Sequence, residues 1–147
     1  MNLFGVMQVS SSALEAERLR AEVVAANMAN AETTRTEDDG GPYRRHHVVF
    51  QSEASQRGSF ASHLFSTEGD EIGGVKIAAV VADQGSGLRR YDPQHPDADK
   101  DGYVSYPDIN PLTEMVDLMG ATRAFGLNSS AVQATKNMIS SSLDILK

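Results

Sequence analysis

Leu3, Met7, Ser10, Leu14, Glu17, Ala21, Val24, Met28 and Ala31 follow one another at alternating steps of four and three, and all but Ser10 and Glu17 are apolar. That spacing draws a single seam along a helix, and the intervening residues, rich in Ala, Leu, Glu and Arg, favour helix on the other faces. The far end of the chain carries two such rows. Leu118, Phe125, Val132, Ile139 and Leu146 recur every seventh residue, and Ala124, Ala131, Met138 and Ile145 form a second row about 100° round the same helix. A helix facing one core needs a stripe of about 100°, so two rows ask for two neighbours.

All five prolines, Pro42, Pro93, Pro96, Pro107 and Pro111, lie in the middle of the chain, which leaves both ends free of the strongest helix breaker. Between the ends, the strand-like stretch Tyr43 to Phe50 follows a Gly40, Gly41 turn signal. A β-branched run from Val75 to Val81 comes next, then short candidate strands at Leu88 to Tyr91 and around Tyr103 to Tyr106. The pattern predicts an α+β fold. Residues 1–31 and 112–147 form long antiparallel, coiled-coil-like helices that make up an assembly domain. Residues 32–111 form a small, mostly antiparallel β insert of three or four strands, with a flexible segment near 51–74, where Ser, Gly and Glu dominate. A continuous helix over 112–146 would be about 50 Å long. A compact chain of this size is only about 40 Å across. The two apolar ends therefore carry more greasy surface than one copy can cover, and the expected cover is other subunits.

Composition narrows the chemistry. Of 147 residues, 13 are Lys or Arg and 20 are Asp or Glu, for a formal charge of -7, so the electrostatic footprint of a nucleic-acid or anionic-membrane binder is missing. The longest apolar run, Ile77 to Ala82, is far too short to span a bilayer, and direct membrane insertion is not expected. With no Cys there is no thiolate nucleophile, disulfide or cysteine zinc site. Mean hydropathy is -0.33 and only 6% of residues are aromatic, so the core must be chiefly aliphatic.

The best chemical motif is Asp97, Asp99, Asp101, Gly102, Val104 and Asp108. Oxygens at positions one, three, five and twelve, with Gly at six, approach a calcium-loop pattern. A calcium-binding interaction module built on Asp97–Asp108 is thus the alternative reading. Its flanks argue otherwise, since Pro93 and Pro96 precede the loop and Pro107 and Pro111 sit where an exit helix would begin. His46, His47, His63 and His95 have no metal-ligand spacing, and His46 and His47 alternate faces if they lie on a strand. No GxSxG elbow, GxxxxGK or GxGxxG occurs. The expectation is a non-enzyme without cofactor or metal. Asn27 and Asn30 interrupt the aliphatic stretch Val23 to Ala31, and Asn128 sits on the facing helix. Each is either a polar surface or helix-end residue, or a buried amide that selects one helix register.

Both termini resemble a family. Ser12, Ala13, Leu14, then Val23 through Thr34 with Asn27-Met28-Ala29-Asn30 at its centre, is similar to the N-terminal signature of bacterial flagellar rod and hook axial proteins. Gly102, Tyr103, Val104, Tyr106 to Asn110, Glu114 to Asp117, Arg123, Ala124, Phe125 and Asn128 resemble the C-terminal one. Gly41 to Arg45, Gly73 to Val75 and His95 to Asp99 look most like proximal-rod members, whereas Pro111, Asp108 and Phe125 depart from the usual pattern. The resemblance implies a structural protein that polymerises with itself and related rod proteins into a helical tube around a secretion channel. It also implies a place in the basal body, in the periplasm-spanning rod, with export through the flagellar type III apparatus without a cleaved signal. Leu14, Ala21, Val24, Asn27, Met28, Asn30, Met115, Leu118, Arg123, Phe125, Asn128, Val132, Ile139 and Leu146 are then the candidate assembly residues.

Overall fold

The computed structural model describes residues 3–37, 40–53, 73–85 and 87–145. Its elements run α1 (Leu3–Ala29), β1 (His46–Glu53), β2 (Gly74–Ala82), β3 (Leu88–Tyr91), β4 (Tyr103–Tyr106) and α2 (Pro111–Ile145). The architecture is α+β, with a long helix at each end and two two-stranded sheets, β1 with β2 and β3 with β4.

Helix ends follow from local chemistry. α1 stops where Asn30 turns its side chain back, Nδ2 donating to the Ala26 carbonyl at 2.9 Å while Oδ1 accepts from Thr33 Oγ1 at 3.1 Å. α2 starts one residue before the expected 112. Asn110 is its N-cap, its Oδ1 accepting from Leu112 N at 3.0 Å, and Pro111 takes the first helical position, where a missing N–H costs nothing.

β3 and β4 lie where the alternation placed them and pair antiparallel, Leu88 with Tyr106 through Tyr91 with Tyr103. β1 starts three residues later than the sequence suggests and runs on to Glu53. Tyr43 to Arg45 precede it because they are engaged elsewhere: Tyr43 N donates to the Thr33 carbonyl and Arg45 O accepts from Asp83 N. Residues 51–53 and Gly74, placed in the flexible segment by composition, are strand; 54–72 of that segment lie outside the described residues, as does Leu146.

By contacts the chain divides into two compact units, a division that differs from one drawn by assembly role. The first comprises Met1–Arg18, Phe50–Ala78 and Ala121–Lys147. Its buried positions among the described residues are small: Ser10, Ala16, Ala121 and Thr135. Ser12 Oγ donates to the Val9 carbonyl at 2.8 Å and accepts from Val75 N at 3.1 Å, which fastens the start of β2 to α1. The second unit comprises Leu19–Val49 and Ala79–Gly120, with Val24, Asn27, Val104, Ile109 and Glu114 buried.

Two glycines fix the β3–β4 hairpin. Gly102 closes its loop at φ 78, and a Cβ there would also press on the Tyr91 ring at 2.9 Å. At Gly87 a Cβ would overlap the Tyr106 carbonyl, backbone that cannot step aside. Gly87→Ala is expected to unpair the Leu88 end of the hairpin at a cost of about 1–3 kcal/mol, read by chemical denaturation and by faster amide exchange over Leu88–Tyr91.

Candidate functional site

Burial tests the apolar seams directly. On α1, Val24 is buried and Leu14, Ala21 and Met28 are half-buried, and Ser10 and Glu17, which interrupt the apolar series, lie on the same inward side. On α2 the most enclosed line is neither apolar row. It is Glu114, Ala121, Asn128 and Thr135, again every seventh residue, running between the two rows; Asn128 is half-buried and the others are buried. Of the rows themselves, Leu118, Val132 and Ile139, with Ala124 and Ala131, are half-buried, whereas Phe125, Met138 and Ile145 are exposed.

The side of α2 roughly opposite Glu114 is greasy and bare. Leu112, Val116 and Met119 are exposed there, Val116 at 63%, with Met115 beside them and exposed Arg123 one turn on. Further along, Leu127, Leu143 and Ile145 are also exposed, Ile145 at 85%. Gly126, in mid-helix, has nothing within 4 Å of where a Cβ would stand.

Within the second unit a polar hub holds the end of α1, the start of β1 and the first turns of α2. Asn27 is 0% exposed and every part of its amide is used. Nδ2 donates to the His46 carbonyl at 2.7 Å and to Glu114 Oε2 at 3.0 Å; Oδ1 accepts from His46 N at 2.9 Å and from the Tyr43 hydroxyl at 3.2 Å. Glu114, 1% exposed, takes Arg45 Nε on its other oxygen at 2.6 Å. One turn further, Asp117 is approached by Arg45 at 3.6 Å and Arg20 at 3.4 Å. A buried carboxylate survives only when paired in this way. Of the three asparagines proposed for register, Asn27 is the buried one. Asn30 ends α1, and Asn128 bonds its own helix at the Ala124 carbonyl. Glu114, Tyr43, Arg45 and His46 escaped the sequence reading. Glu114 could have been suspected from its heptad spacing to Ala121 and Asn128.

Burial first, and the Glu114 charge second, push the Tyr43 hydroxyl up from its ordinary 10.0. Folded-state affinity for that proton exceeds the unfolded one, so its contribution to stability is complete below about pH 10 and is lost as pH rises through the elevated value. An alkaline absorbance titration is expected to show one late-ionising tyrosine that Tyr43→Phe removes and Glu114→Gln shifts part of the way back.

The aspartate loop does not make a cage. Asp97 accepts from Thr34 Oγ1 at 2.8 Å, and Asp99 accepts from Lys100 N at 2.8 Å and lies 3.6 Å from Arg89. Positions seven to ten of the calcium pattern are β4, an extended strand that carries Asp108 away where a calcium loop must curl back. Among the described residues no group of three or more His, Asp or Glu could hold a metal ion. Beside the hairpin lies an open cleft of about 330 Å³ bordered by Pro42, Arg44, Asp83, Arg89, Ser105 and Asp108, with no His among them to serve as a general base.

Two family models match, one described as "Flagella basal body rod protein" over residues 7–35 and one as "Flagellar basal body rod FlgEFG protein C-terminal" over 100–145. The flagellar basal-body rod protein FlgC of Bacillus subtilis is 41% identical over 150 aligned residues, all of both chains. FlgC of Borreliella burgdorferi is 39% identical over all of this chain and 99% of its own, and FlgC of Salmonella typhimurium 35% identical over 99% and 98%.

Proposed function

The chain belongs to the FlgC family of flagellar basal-body rod proteins and is a structural component of the basal body, and we propose that it polymerises through its terminal helices into the tubular proximal rod. Its partners are further copies and related rod proteins, joined head to tail in contacts that do not close on themselves. Its part is mechanical and not catalytic. It reaches the periplasm-spanning rod through the flagellar export apparatus. Among the described residues, no helix is long and apolar enough to cross a membrane.

The observation that carries this reading is the uncovered apolar side of α2 at Leu112, Met115, Val116 and Met119. Side chains of this size, grouped on one side of a helix, are a surface meant for a neighbour. Met115, Arg123 and Phe125 lie at the surface and are assigned to touch that neighbour. Half-buried Leu14, Ala21, Met28, Leu118, Val132 and Ile139 share their surface between the subunit and the next one, with Leu146 continuing the row. Val24 and Asn27, enclosed in their own chain, act by holding the subunit's register, a role in which half-buried Asn30 and Asn128 are the further candidates.

Val116→Lys is expected to leave the unfolding free energy of the isolated chain within about 0.5 kcal/mol of wild type, the usual range for an exposed site. In a strain lacking its own copy, the same variant is expected to abolish incorporation into basal bodies and motility. Swimming at the wild-type rate would overturn the assignment of this surface.

A further inference from the structure

We propose that the hub of Asn27 and Glu114 is an acid-release latch, closed while the Glu114 carboxylate is ionised and opened when it takes up a proton. The reasoning is a count of donors and acceptors and stands apart from the rod reading. Glu114 Oε1 faces Arg45 Nε and Oε2 faces Asn27 Nδ2, both donors. Asn27 cannot turn its amide over to offer an acceptor, because Oδ1 is held by His46 N and the Tyr43 hydroxyl, and a turned amide would set N–H against N–H. A proton on either Glu114 oxygen therefore leaves that oxygen a poorer acceptor for the donor it faces, on a side chain only 1% exposed.

Histidine is the usual suspect for acid sensing, yet His46 is not the trigger. The Tyr43 hydroxyl has one proton and gives it to Asn27 Oδ1, so its 3.0 Å contact with His46 Nδ1 is a donation from the ring. That fixes Nδ1–H, which the neutral tautomer and the imidazolium share. Charging His46 adds a proton at Nε2 only and leaves every hub bond in place. The charged and titratable groups around Glu114 are Arg20 from α1, Tyr43, Arg45 and His46 at the entry to β1, and Asp117 on α2 itself. Once Glu114 is neutral, Arg45 keeps its contact with Asp117, at 3.6 Å and a third exposed, a weak hold screened by water.

The test is a titration of the full chain by NMR from about pH 7 to about pH 3. The expected result is that the Asn27 side-chain amide and the His46 backbone amide move together with the Glu114 carboxyl carbon, while the His46 ring keeps its Nδ1–H throughout. Glu114→Gln, which carries a fixed NH2 where the proton would go, is expected to show near pH 7 the hub signals that wild type reaches in acid. The difference in melting temperature between the two proteins is expected to vanish at the acid end. Hub amides that follow the His46 ring, a neutral Nε2–H tautomer, or a difference between the proteins that does not change with pH would each overturn the latch. Movement of the hub only upon unfolding of the whole chain would do the same. Should the variant fail to fold, the wild-type titration decides alone.

Discussion

Replacing Asn27 with Leu is expected to destabilise the chain by about 3–5 kcal/mol, since each buried polar group left without a partner costs about 1–3 kcal/mol and some regain water. The loss is large because one amide serves four groups: the His46 N–H and carbonyl, the Tyr43 hydroxyl and a Glu114 oxygen. Leucine is close to asparagine in size, so the cost is one of polarity and not of volume. An amide that only selects register costs stability, so on that reading leucine at 27 would give tighter but less ordered assembly. The buried bonds reverse that sign for the single subunit. Chemical denaturation of the variant, with wild type and Asn27→Asp alongside, checks it. Asn27→Asp puts a second carboxylate about 3 Å from Glu114 and should be worse still near neutrality. Wild-type stability in Asn27→Leu would mean that the hub contributes nothing.

The second large effect falls on assembly and spares the fold. Deleting residues 140–147 is expected to abolish incorporation into basal bodies and motility while the β3–β4 hairpin and the hub keep their spectra. Every described residue from 140 to 145 is exposed, Ile145 at 85%, so the isolated chain has little to lose there. Immunoblots of purified basal bodies from a complemented strain, read beside the NMR spectrum of the free variant, measure the two halves of the expectation. Normal swimming would remove the C-terminal end of α2 from the interface.

What was legible in the sequence follows from how local each signal is. β3 and β4 are legible because alternation and the Pro93, Pro96 loop between them all lie within about one hairpin of each other. The helices were legible because a seven-residue repeat survives over many turns. Pro111 is a helix breaker by type yet opens α2, because the first helical position needs no N–H and Asn110 caps the helix before it. β1 was misplaced by three residues because Tyr43, Arg44 and Arg45 read as strand, whereas Tyr43 and Arg45 are drawn to partners on the two helices. The hub was invisible for a related reason. Asn27 and Glu114 are 87 positions apart, and a Glu in the first turn of a helix is ordinarily a surface residue that suits the helix dipole. The resemblance of the termini conveyed the role of the protein, but not which of its polar residues hold the subunit together.

The buried positions among the described residues of the first unit, Ser10, Ala16, Ala121 and Thr135, all carry small side chains. An alanine scan through them would change only Ser10 and Thr135 and would say nothing of the other two. The two alanines inform in the other direction, since Ala121 is 0% exposed and a methyl or two added there must find room in a close-packed interior. Natural variation here is therefore bounded from above: these sites can shrink or stay, but they cannot grow.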